Sequence, residues 1–151
     1  MRTRIIFFGA VTLALTLGAA IPQYGQNTSV SDNDDARHSL AVSLLRTINT
    51  AEVADFMGHG AYVTWDELLT KKEFTDCAIE GIAGIDPQLA AAHFSKGPEI
   101  LPGWTLRLNL TKDGKGYDLL LEDTSDEKCR YAAVTDERGI IRQSKAIDCP
   151  I

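Results

Sequence analysis

Histidine, cysteine and methionine are scarce in this chain, with three, three and two copies among 151 residues. The histidines, His38, His59 and His93, have no partner at the i, i+4 zinc spacing, and no Cys-x-x-Cys pair occurs, which excludes the common transition-metal centres. Ser31, Ser39, Ser43 and Ser95 stand in no nucleophile-elbow context, so a serine hydrolase of that kind is excluded. Neither Gly81 with Gly84 nor Gly114 with Gly116 builds a loop that could cradle a phosphate, which argues against nucleotide binding. Basic residues are also in deficit, 15 against 21 acidic ones, for a net charge of −6, and nucleic acid is not an expected partner. No repeat with a period of about 20 to 50 residues is visible. With no catalytic constellation and no resident cofactor indicated, the chain is expected to be non-enzymatic.

What the chain does carry is an address. Residues 1–20 combine Arg2 and Arg4, an apolar run over 5–17, and the small residues Gly18, Ala19 and Ala20, which is the pattern of an export signal cleaved after Ala20. The second reading is an uncleaved anchor, because residues 5–21 approach the roughly 20 apolar positions of a spanning helix. Membrane contact is expected only through that segment, if it stays attached. No cysteine follows the apolar run, which disfavours a lipid-anchored lipoprotein. The protein is accordingly expected to be exported, periplasmic or extracellular. Losing Arg2 and Arg4 leaves 13 basic against 21 acidic residues, a net −8, on a mature chain of one ordinary domain. Residues 21–35 are polar, with Pro22, Gly25 and the acidic Asp32-Asn33-Asp34-Asp35, and read as a flexible linker ahead of a domain over 36–151. Asp34 or Asp35 would cap the first helix.

Between Ala36 and Phe56, apolar residues at Ala41, Leu44, Leu45, Ile48 and Ala51 recur at helical spacing, with Arg37, His38, Arg46 and Asn49 off that stripe. The spacing predicts a helix about 30 Å long, stopped by Gly58 and Gly60. Thr64-Trp65-Asp66-Glu67 is a capping box opening a short helix that ends near Lys72. Asp86-Pro87 opens another brief helical turn through Ala91, within a loop-rich middle region. After Pro102-Gly103 the period changes to two. Trp104, Leu106, Leu108 and Leu110 alternate with polar residues, and the loop at 112–116 returns the chain through Tyr117 to Glu122. A second hairpin, Arg130 to Thr135 and Ile140 to Gln143, flanks the turn Asp136-Glu137-Arg138-Gly139. The expected fold is α+β: a long amino-terminal helix packed on a four-stranded antiparallel meander.

The stretch Ser43-Leu44-Leu45-Arg46-Thr47-Ile48-Asn49-Thr50-Ala51-Glu52 resembles the helix of bacterial type IV pilin-like and pseudopilin-like proteins. Thr135-Asp136-Glu137-Arg138-Gly139-Ile140-Ile141-Arg142 resembles their final hairpin, and Tyr62-Val63-Thr64-Trp65-Asp66-Glu67-Leu68 and Pro102-Gly103-Trp104-Thr105-Leu106 fall between them in the matching order. The chain departs from that family at its prepilin-peptidase site. Gly9 is followed by Ala10, and no acidic residue precedes Asp32, so the glutamate that registers one filament subunit on the next is missing. The resemblance then implies a pilin-like head domain, exported as a soluble or loosely tethered protein. Its role would be a structural or binding accessory of a pilus or type II secretion-like assembly, with protein partners, or a stand-alone binding module. The alternative from another class is a small periplasmic enzyme or inhibitor whose site is assembled from residues distant in sequence. A third is a minor filament subunit that keeps its amino-terminal segment.

In an oxidising compartment Cys77, Cys129 and Cys149 should form one bridge and leave one spare thiol. The resemblance implies a terminal disulfide between Cys129 and Cys149, with Cys77 to Cys149 as the second pairing. Some pseudopilins of this kind hold calcium in a loop beside the sheet, and the resemblance points to Glu122, Asp123, Asp126 and Glu127 as its counterpart here. The plain reading of that cluster is a solvated turn neutralised by Lys128 and Arg130.

Overall fold

A computed structural model describes residues 30–125 and 127–145, with side chains from Asp34 onward. Residues 1–29, Asp126 and residues 146–151 lie outside it, and with them the export signal and most of the segment read as linker. The first helix, α1 (Val30–His59), begins inside that segment. Asp34 and Asp35 therefore sit within its opening turns, where their charge favours the helix dipole, rather than capping it. Ala41, Leu44, Leu45 and Ile48 are buried along one stripe, as the spacing predicts; Leu40 joins them, whereas Ala51 is only half-buried. The helix stops where Gly60 takes a φ of +75° and donates its N–H to Phe56 O at 2.8 Å.

The middle of the chain is more ordered than its loop-rich composition suggests. The capping box forms: Thr64 Oγ1 accepts from Glu67 N at 3.3 Å, and Glu67 Oε2 accepts from Thr64 N at 2.8 Å. It opens α2 (Trp65–Leu68), a single turn that ends before the expected Lys72. A separate twelve-residue helix, α3 (Lys72–Ala83), follows. Its amino end, Lys71, makes no side-chain cap bond, so no start signal marks it in the sequence. Phe74, Ala78 and Ile82 turn its buried face inward, and Gly81 lets the backbone approach α1 closely, since a Cβ there would stand 3.3 Å from Ser43 Oγ. The one-turn α4 (Pro87–Ala90) starts as expected, with Asp86 Oδ1 accepting from the Gln88 and Leu89 N–H groups at 3.0 Å each.

The sheet has five strands rather than four. β1 (Glu99–Leu101), β2 (Trp104–Leu110), β3 (Tyr117–Asp123), β4 (Ala132–Asp136) and β5 (Arg142–Ser144) pair antiparallel in simple chain order. β1 gives no alternation to read because a register irregularity between Glu99 and Leu101 buries two successive residues, Ile100 and Leu101. Gly103, at φ +76°, turns β1 into β2. β4 and β5 each begin two residues later than the period-two reading places them. Trp104, Leu106, Tyr117, Leu119, Leu121 and Ala133 form the inner face, against which the α1 stripe packs. The arrangement is α+β, a long helix across an antiparallel sheet.

Candidate functional site

Several polar residues join α1 to the sheet beside the apolar stripe. Arg37 spans from the helix to Asp123 at the end of β3, with Nη2 donating to Oδ1 at 2.6 Å and Nε donating to Oδ2. Ser125 donates to the same Oδ1 from its backbone N at 2.8 Å and its hydroxyl at 2.7 Å. Burial alone would raise the Asp123 carboxyl, but the bonds from Arg37 and Ser125 outweigh it and hold the group below the usual carboxylate range. The guanidinium also lies over the Trp104 ring, 4.8 Å from its centroid. His38 stacks on Tyr131 with centroids 4.0 Å apart, and burial, then the Lys145 charge, lowers its pKa. Further along α1, Asn49 donates to Thr135 Oγ1 at 3.1 Å and accepts from the Tyr117 hydroxyl at 2.8 Å. Arg37, His38 and Asn49 thus face the sheet, although the apolar pattern sets them off the buried stripe. Periodicity counts apolar residues and is blind to polar ones that find partners inside.

This geometry settles where the expected calcium ligands stand. Both Asp123 oxygens already accept from Arg37, Glu122 points to the opposite face of β3, and Glu127 is exposed. Asp126 lies outside the described residues. Among the described residues, no three His, Cys, Asp or Glu side chains group closely enough to hold a metal ion. Cys77 carries a free, exposed thiol, so the second pairing, Cys77 with Cys149, is not formed. The Cys129 to Cys149 pairing involves a residue outside the description. No helix among the described residues is long and apolar enough to cross a membrane.

A mainly apolar concavity lies between α1 and α3. It is an open groove of about 460 Å³ whose floor and walls come from Thr47, Thr50, Ala51, Ala54 and Phe74. Arg46, Glu73 and an ion pair between Lys71 and Asp55 form its charged rim. Cys77 opens into it. Sequence reasoning missed this site because one wall is α3, which has no start signal. The positions at i, i+3, i+4 and i+7 from Thr47 to Ala54 are small, and that was the available trace of a groove. A smaller trough of about 330 Å³ runs over the solvent face of the sheet. There the register places Arg107, Leu120, Val134 and Arg142 in one row across four strands.

Behind the groove, Glu52 is fully buried on the inner side of α1. One oxygen, Oε2, accepts from Val63 N at 3.0 Å. The other, Oε1, has no partner among the described residues. Burial raises its pKa to about 7, with the nearby Asp55 charge adding to the effect. No family model, curated protein or solved structure matches this chain.

Proposed function

We propose that this is an exported, non-enzymatic, pilin-like domain that works through its surface, as a binding or structural accessory of a pilus or secretion-like assembly. The observation that carries the reading is the groove between α1 and α3, whose walls are aliphatic, aromatic and small, with charge confined to its rim. Its size and lining suit a short apolar segment of a partner protein, anchored at its ends by polar contacts. The ionised groups nearest the core, Arg37 with Asp123 and Lys71 with Asp55, pair with each other and act as struts between elements. The helix-then-sheet order also accords with the resemblance in the sequence.

Cys77 provides the test, because it places a native thiol at the groove. A thiol-directed photo-crosslinker on Cys77, activated in the native envelope fraction, is expected to capture a pilus or secretion component. Ala54→Trp, which fills the groove from an exposed helix position, should abolish that capture while leaving the fold intact. Recovery of the same component from both proteins, or of no such component from either, would overturn the assignment. A catalytic reading would instead be favoured by turnover that survives Ala54→Trp.

A further inference from the structure

Two carboxylates on successive turns of α1, Glu52 and Asp55, are both buried, yet among the described residues only one lysine, Lys71, serves them. Asp55 holds that lysine, and His59 Nδ1 stands 3.5 Å from the same oxygen. Among the described residues, Glu52 is left with one backbone donor and an unpartnered Oε1. The charged and titratable groups nearest it are Asp55 on its own helix, Glu67 on α2, Lys71 at the head of α3 and Tyr117 on β3. Among these Lys71 is the sole cation, so ionised Glu52 would have no cation of its own. A carboxylate so placed is stable in the folded chain when neutral and costly when charged.

We infer that Glu52 is a proton-controlled latch on the groove: neutral, it lets Lys71 bind Asp55 and close the rim between α1 and α3; ionised, it draws Lys71 and water inward and loosens that wall. The groove is regulated in this way because Asp55 and Lys71 line it and Val63, the donor to Glu52, lies two residues before α2. The inference takes the groove to be the working surface, but the latch itself needs no partner to be observed. The raised pKa of about 7 places the change within the range an exported protein meets. The folded form binds the proton more tightly than the unfolded chain, so the stabilisation is complete below the unfolded value of about 4.5 and is lost as pH rises through about 7.

The decisive comparison is between the full chain and Glu52→Gln, the neutral isostere, over pH 5 to 8.5. In urea titrations the wild-type unfolding constant should rise by close to tenfold per pH unit between about pH 5 and 7 relative to the variant, then level off. The rate of Cys77 alkylation by iodoacetamide, divided by that of Glu52→Gln at each pH to cancel thiolate formation, should climb over the same interval. Superimposable stability profiles would overturn the latch. A stability difference with a constant alkylation ratio would overturn its link to the groove. Should the variant fail to fold, a carbon NMR titration of the wild-type Glu52 carboxyl decides the matter, and a midpoint near 4.5 refutes the proposal. Failure of the partner crosslink leaves all these readouts standing and so counts against the accessory role alone.

Discussion

Asp123 shows how a single residue changes meaning once its neighbours are known. In the sequence it belongs to an acidic run, whereas in the fold it is a buried acceptor clamped by Arg37 and Ser125. Replacing it with asparagine should cost about 3 kcal/mol in urea unfolding, because a half-buried guanidinium loses its counter-charge. Its depressed pKa makes the stabilisation present above the unfolded value and lost as pH falls through the folded one, the opposite direction to Glu52. Since Arg37 already fills the place a cation would take, adding excess calcium and then chelator should leave the melting temperature unchanged; a rise with calcium would refute this. Thr64, by contrast, was fully legible. Its cap depends only on residues three apart, and Thr64→Ala should lower stability by about 1 kcal/mol.

At the scale of elements, legibility followed the range of the cause. The α1 stripe and the alternation of β2 and β3 are written in side chains that share one face, and they appear where expected. α3 and β1 do not, because one lacks a cap and the other is three residues long with a disturbed register. Their identity depends on what they pack against. Leu45→Ala, at the centre of the helix-sheet contact, should cost about 3 kcal/mol by leaving a cavity between two rigid layers. Gly103→Ala should be destabilising by about 1 to 2 kcal/mol, since the turn requires a left-handed residue and the added Cβ would press on Ser125 Cβ at 3.3 Å. Both values can be read from shifts in urea midpoint at constant slope. The groove was illegible for the same reason as α3, its second wall.

For the whole molecule, the opposite shifts of the two buried carboxylates Glu52 and Asp123 bracket an optimum. On these two groups, stability of the full chain should peak near the ordinary carboxylate values, at about pH 4 to 5, and decline on both flanks. The expected Cys129 to Cys149 bridge would close a loop of about 20 residues and add about 3 kcal/mol. Reductant should therefore lower the melting temperature of both the wild type and Cys77→Ser, since Cys77 is already free. Peptide mapping without reduction should recover Cys129 and Cys149 in one fragment pair. The native amino terminus, read by mass spectrometry, should begin at Ile21 if the export signal is cleaved.

The chain order of the sheet, in which each strand pairs only with its sequence neighbours, has a kinetic corollary. Hairpins of this sort close quickly because little loop entropy is spent on them. The helix, however, has only α3 beside it at first, and the side of its apolar stripe that meets the sheet stays bare until β2 and β3 have been made, about 60 residues later. The helix–sheet contact thus joins distant parts of the polypeptide, and its closure is expected to be slower than that of the hairpins.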